Sequence, residues 1–205
     1  NVNRLKRTLN ESNSLSEAKK IKGFDHPDFT DDMPDWLAEA IVSEDAVFEL
    51  RSDGNLVWFV GTWFSGTWED GTWESGTWKK GTWKRGTWED GLREDGLWKD
   101  GTWKSGVWEK GVWLLGTWLN GIWKKGNWRN GTWQDGTWEN GTWSGGVWVE
   151  GTWKKGTWED GDWEDGVWED GIWINGTWKN GLIKNPNTGE FKESTVPPPE
   201  FLENL

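Results

Sequence analysis

The chain has no cysteine and no tyrosine, one histidine, one methionine and six prolines in 205 residues. Without cysteine, neither a disulfide nor a thiolate metal site can hold it together. The single imidazole, His26, stands beside Pro27 in an acidic, loop-like stretch, and one histidine without a thiol builds no catalytic triad. No stretch is long and apolar enough to cross a membrane, and no secretory leader pattern is visible. An excess of positive charge is missing too. The net charge is −12, divided as −5 before residue 61, −4 over 61–185 and −3 after it, which disfavours non-specific nucleic-acid binding. These absences point to a non-catalytic protein that needs no cofactor.

What the chain does have is glycine and tryptophan, in register. From Gly61 to Gly181 a glycine falls at every fifth position, 25 in all, and 23 of the positions two residues later are Trp. The exceptions are Arg93 and Ile183, while Trp58 extends the register one unit earlier and Trp36 stands outside it. A short fixed period over most of a chain is the mark of a repeat architecture. Each Trp carries about 150–250 Å² of surface, so the whole set on open display would far exceed the apolar patch a soluble monomer shows. The expected structural core is therefore the row itself: Trp58, Trp63, Trp68, Trp73, Trp78, Trp83, Trp88, Trp98, Trp103, Trp108, Trp113, Trp118, Trp123, Trp128, Trp133, Trp138, Trp143, Trp148, Trp153, Trp158, Trp163, Trp168, Trp173 and Trp178.

Within the Gly-Thr-Trp-x-x unit the residue after glycine is β-branched in 20 of 25 cases, which suits a pleated strand. If it faces out, the Trp faces in and the next residue faces out again. Glycine then marks a corner that needs positive φ or close backbone approach. The expected fold is an all-β solenoid with an interior Trp ladder and a short helical N-terminal segment. The alternative is a single-layer antiparallel hairpin meander, in which Asp-Gly and Asn-Gly corners would be type I′ turns. The unit order resembles the pentapeptide-repeat family, which implies a four-sided β-helix, with Gly and Trp in place of that family's Ala and Leu or Phe. The Gly-x-Trp-x-x-Gly spacing also resembles the core of MORN repeats, which implies the meander.

The charges bear on the coil length. Among the residues three after each glycine, such as Glu69, Lys79, Glu89 and Lys99, charged pairs ten apart are opposite in 10 of 11 cases, and pairs twenty apart are alike in 7 of 10. Like charges on stacked strands are unfavourable. This favours a ten-residue step over a twenty-residue one. Asp or Asn precedes glycine in 9 of 12 units of one parity and 4 of 12 of the other, which suggests two alternating corner types.

Four regions follow: a helical arm at 1–23, an N-terminal cap at 24–60, the repeats at 61–185, and a C-terminal cap with a Pro-rich tail at 186–205. In the arm, Leu15–Ile21 reads as a helical turn. In the cap, Trp36–Val42 reads as a two-turn helix, and Ala46–Arg51 with Leu56–Val60 as a hairpin. Acidic pairs at Glu159-Asp160, Glu164-Asp165 and Glu169-Asp170 lack the spacing of a calcium loop and read as a solvated surface. Leu9-Asn10-Glu11, after a short basic arm, resembles the processing site of T-even-like tailed-phage virion proteins, which implies cleavage after Glu11 and a place in the virion or the infected cell. The function expected is a structural or adhesive module. The alternatives are a DNA-mimicking interaction protein and a carbohydrate-binding module. A protein partner is expected, as is self-association through sheet edges or a Trp face; membrane and nucleic acid are not.

Overall fold

The computed structural model describes residues 18–20, 34–51, 53 and 55–199. Leu9, Asn10, Glu11 and His26 lie outside the described residues. Through the repeats, the residue after each glycine and the Trp that follows form a two-residue strand, as in Thr87–Trp88 and Thr102–Trp103. Each strand pairs in parallel with the strand fifteen residues on: Thr87 lies beside Thr102, and Trp88 beside Trp103. The chain is thus an all-β solenoid whose coil is made of three five-residue sides. The parallel pairing removes the hairpin meander.

The fifteen-residue coil corrects both lengths weighed from the charges. The reason is spatial. Three indoles per layer meet edge to face, as Trp98 and Trp103 do at 6.1 Å and 72° and Trp103 and Trp108 at 5.9 Å and 70°. Such a pinwheel fills a triangle. Two sides would leave no room for an indole on each, and four would leave a hole on the axis. Corners also come in one kind rather than two, since every repeat glycine has φ between 107° and 156°. Over roughly eight coils, the strand spacing gives a stack about 40 Å long.

Three sheets of twelve, ten and eight strands form the sides among the described residues. We call them the arginine face (Thr62–Ser65 to Leu182–Lys184), the threonine face (Leu56–Val60 to Thr177–Trp178) and the short face (Thr67–Trp68 to Ile172–Trp173). The threonine face takes its name from an unbroken outer row, Thr72, Thr87, Thr102, Thr117 and Thr132. Backbone bonds run coil to coil. Thr117 N–H donates to Gly101 C=O at 2.9 Å, and Leu119 N–H to Trp103 C=O at 2.8 Å.

All three faces are closed at the N-terminal end, as an exposed sheet edge would recruit other chains. Ile41–Ser43 pairs antiparallel with Thr62–Ser65 on the arginine face, and Ala18–Lys20 pairs with Ile41–Ser43 in turn. Val47–Leu50 forms the expected hairpin with Leu56–Val60 on the threonine face. A one-turn helix, Asp35–Ala38, sits over the short face. Two expectations are overturned here. The Trp36–Val42 helix stops at Ala38, and Ile41–Ser43 is a strand, because the open edge of the first coil offers Ile41 and Val42 backbone partners that a second helical turn would not. In Leu15–Ile21, the described part, Ala18–Lys20, is likewise strand rather than helix. At the other end, Phe191–Glu193 pairs antiparallel with Leu182–Lys184 and ends that sheet.

Glycine is required at the corner by what lies beneath it. Gly101 has φ 124°, and a Cβ there would overlap the carbonyl oxygen of Gly86 one coil below. That oxygen is itself the acceptor for Thr102 N–H at 2.9 Å, so it cannot move aside. Gly101→Ala is expected to destabilise the rod by more than the ~1 kcal/mol of an ordinary glycine substitution. Trp118→Ala, in mid-stack, is expected to cost about 3–5 kcal/mol. Urea unfolding followed by circular dichroism measures both.

Candidate functional site

The interior consists of three columns of indoles, one per face. Within a column, rings fifteen residues apart lie parallel, as Trp103 and Trp118 do at 4.8 Å and 5°. Between columns they meet edge to face, as Trp113 and Trp118 do at 6.1 Å and 72°. Every Trp from Trp58 to Trp178 is buried, and the last, at 9 % exposure, is the most open. Phe48 stacks on Trp58 at 5.8 Å and 3°, and Trp36 lies edge-on over Trp68 at 5.9 Å, so two of the columns end on aromatic lids. Ser43, also buried, accepts the Thr62 amide on its Oγ at 2.8 Å and ties the cap to the first coil.

Indole N–H groups need acceptors when buried. Those of Trp138, Trp153 and Trp163 donate to the carbonyls of Lys155, Asp170 and Asn180, each just before a corner glycine in the next coil, at 3.0–3.2 Å. Trp178 donates to Ser194 C=O at 2.9 Å. Most of the others, including Trp103 and Trp118, have no partner. Stacking contacts of about 0.5–1.5 kcal/mol each stand against that loss.

Arg93 interrupts the column of the arginine face. Its guanidinium carbon lies 5.0 Å from the Trp78 ring and 4.7 Å from the Trp108 ring, halfway between them where an indole would otherwise sit. Trp98, one side on, approaches it at 5.9 Å. The side chain is fully buried, and none of its nitrogens has a hydrogen-bond partner. Burial pushes the guanidinium down to about 9, against a smaller opposing pull from Asp95. Three ring faces are its solvent; a desolvated cation–π contact is worth about 2 kcal/mol or more. At Asp95, burial acts to raise the carboxyl pKa, but the Gly96 amide, Lys110 and Arg93 together hold it below the usual carboxylate range. The sequence marked Arg93 only as a break in the register. The missed signal was that a position flanked by Trp at −15 and +15 must itself point inward.

Outside, the charges pair along the rod at the coil spacing. Lys79–Glu94 (2.6 Å), Lys104–Glu89 (3.0 Å), Lys124–Glu109 (2.8 Å), Lys179–Glu164 (2.7 Å) and Lys184–Glu169 (3.2 Å) each join neighbouring coils of one face. Corner Asp and Asn residues serve the backbone. Asp90, Asp135, Asn140 and Asp165 each accept the following glycine amide on Oδ1 at 2.6–2.8 Å. The acidic pairs at 159–160, 164–165 and 169–170 fall on three different faces, and no group of three or more His, Cys, Asp or Glu among the described residues could hold a metal ion. No helix of the described residues is long and apolar enough to cross a membrane. Compared with protein-family models, curated proteins and solved structures, the chain matches none.

Arg93 yields a test. Replacing a buried ion by a fitting apolar side chain stabilises by about 1–4 kcal/mol in comparable cases, and Arg93→Trp would complete the column. With the folded pKa lowered to about 9 and the unfolded one at its ordinary, higher value, the unfolded chain binds more protons between the two. The Arg93 penalty is therefore complete below pH 9 and shrinks as pH rises through it. The stability advantage of Arg93→Trp over wild type is expected to be constant from pH 6 to 8 and to narrow by pH 11. Paired denaturant titrations across that range measure it.

Proposed function

We propose that this chain is a non-catalytic structural or adhesive module, a short stiff rod that holds partners at a fixed distance. The observation that carries the reading is the sealed triple column of indoles, continuous from Trp58 to Trp178. The indoles that make the body stiff are sealed inside it, and the outer faces carry threonine rows, charges paired along the rod and a few exposed apolar side chains such as Leu115 and Ile174, which suit contact with another protein. The same burial removes support from the carbohydrate reading, since stacking on a sugar needs an exposed ring face. The DNA-mimic reading has the acids of the threonine face in its favour and the lysines of the arginine face against it.

A place in a tailed-phage particle rests on Leu9-Asn10-Glu11 alone and belongs to the same proposal. Mass spectrometry of purified virions is expected to find the chain starting at Ser12; its absence from particles overturns the virion assignment. For the rod itself, solution scattering is expected to give a rigid body with a repeat section about 40 Å long. Acrylamide is expected to leave the repeat indoles unquenched. Quenching of most of them would remove the sealed column and the rod with it.

A further inference from the structure

The opposition of charge at a separation of ten residues finds no use inside the coil. Ion pairs among the described residues of the repeats join positions fifteen apart, whereas residues ten apart lie on different faces. The corner residues show where that pattern leads. The corner between the arginine and short faces carries Lys80, Lys125 and Lys155, exposed and without a carboxylate partner among the described residues, together with the Lys110–Asp95 pair, Asn140 and, at its C-terminal end, the exposed Asp170. The corner between the threonine and arginine faces carries Asp90, Asp135, Glu150 and Asp165, exposed and without a cation. These two edges flank the same face. Each of the three lysines has an Asp ten residues later on the opposite edge: Lys80 and Asp90, Lys125 and Asp135, Lys155 and Asp165.

We propose that the arginine face docks against the arginine face of a second copy, side by side and parallel, about a twofold axis running along the rod. Only that operation lays the lysine edge of each copy along the acidic edge of the other, at both flanks and at the same height. Ten residues are two-thirds of a coil, about 3 Å along the axis, which a lysine side chain spans. Lys80 then reaches the partner's Asp90, Lys125 the partner's Asp135 and Lys155 the partner's Asp165, each pair occurring twice. The interface is isologous and closes on itself. The face between the edges does not resist contact. Its own Lys79–Glu94, Lys124–Glu109, Lys154–Glu139 and Lys184–Glu169 pairs leave it nearly neutral, and Leu92, Val107 and Ile122 form a short apolar row along it.

The size of the face sets the strength. A strip about 40 Å long and about 10–12 Å wide buries on the order of 1,000 Å² over both copies, at the lower limit for a specific interface. Exposed ion pairs add little individually and are screened by salt. The dimer is therefore a weak one that depends on ionic strength. It proceeds neither through the sheet edges nor through a Trp face.

Sedimentation velocity of the full chain at high protein concentration, in about 20 mM and about 500 mM salt, tests this. A dimer at low salt that dissociates at high salt is expected. Lys80→Glu/Lys125→Glu/Lys155→Glu and Asp90→Lys/Asp135→Lys/Asp165→Lys are each expected to be monomeric alone and to form a heterodimer when mixed one to one. Lysine already precedes the corner glycines Gly81 and Gly126, so the fold accepts it there, and unchanged circular dichroism checks that. Spin labels on Ser75→Cys should lie closer than the rod is long, as a parallel pair requires. A wild-type monomer at low salt, dimers that ignore both salt and charge reversal, or labels at opposite ends would overturn the proposal.

Discussion

The contact on which everything else rests is one indole lying on the next. A β-sheet fixes the distance between strands at about 4.8 Å, whereas aromatic carbons prefer about 3.5–4.0 Å. The columns reconcile the two by staying parallel but offset. Centroids repeat at 4.7–5.1 Å with planes within 8° of each other, which is the displaced stacking that the ring quadrupole favours over a direct sandwich. Backbone hydrogen bonding and ring stacking therefore ask for the same axial step. A repeat with one aromatic per side can run for many coils without strain accumulating between its skin and its core.

The corner answers to that same step. Carbonyls of corner glycines accept from the coil above, so a glycine sits almost directly on the oxygen of the glycine fifteen residues before it, as Gly101 does on Gly86. Both the backbone angle and the lack of space demand glycine. Asp and Asn before the glycine add a side-chain acceptor for its amide, which is why they crowd that slot. Twisting the coil to admit a Cβ would shear the stack beneath it, so the constancy of glycine and of tryptophan are one requirement seen at two places.

Much of this was legible in the residues. Alternation of β-branched, Trp and polar positions gave the in-and-out pattern, and 23 Trp in register gave the interior ladder. The charges ten and twenty residues apart point away from the true coil length, although a signal for it exists: Glu109, Lys124, Glu139, Lys154, Glu169 and Lys184 alternate in sign at a spacing of fifteen. A ten-residue alternation overlies it. Charge sign says which residues attract and not whether the partner lies in the same chain. Ala38-Glu39-Ala40-Ile41-Val42 misled for another reason. Its local preference is helical, and the unpaired edge at Thr62–Ser65 overrode it. Arg93 is not legible as a core residue from the sequence, because an arginine in a repeat reads as surface until the columns above and below it are known.

Arg93 also shows how the rod distributes its stability. In a solenoid each coil touches only its neighbours, so strength adds along the axis and a weak layer stays local. Two indole stacks are lost where the guanidinium stands between Trp78 and Trp108. The other two columns pass the same level unbroken, with Trp83 on Trp98 at 4.7 Å and Trp88 on Trp103 at 4.7 Å. The defect therefore softens one side of one layer and leaves the axis intact. A cation has no affinity for the interior as such; it persists because three ring faces enclose it and because two intact columns carry the coil past it. Ile183 marks the complementary case. It replaces Trp in the last layer of its column, where no repeat coil follows to stack on it and Phe191–Glu193 closes the sheet. One exception is tolerated by its neighbours, and the other stands where the column has no further neighbour to serve.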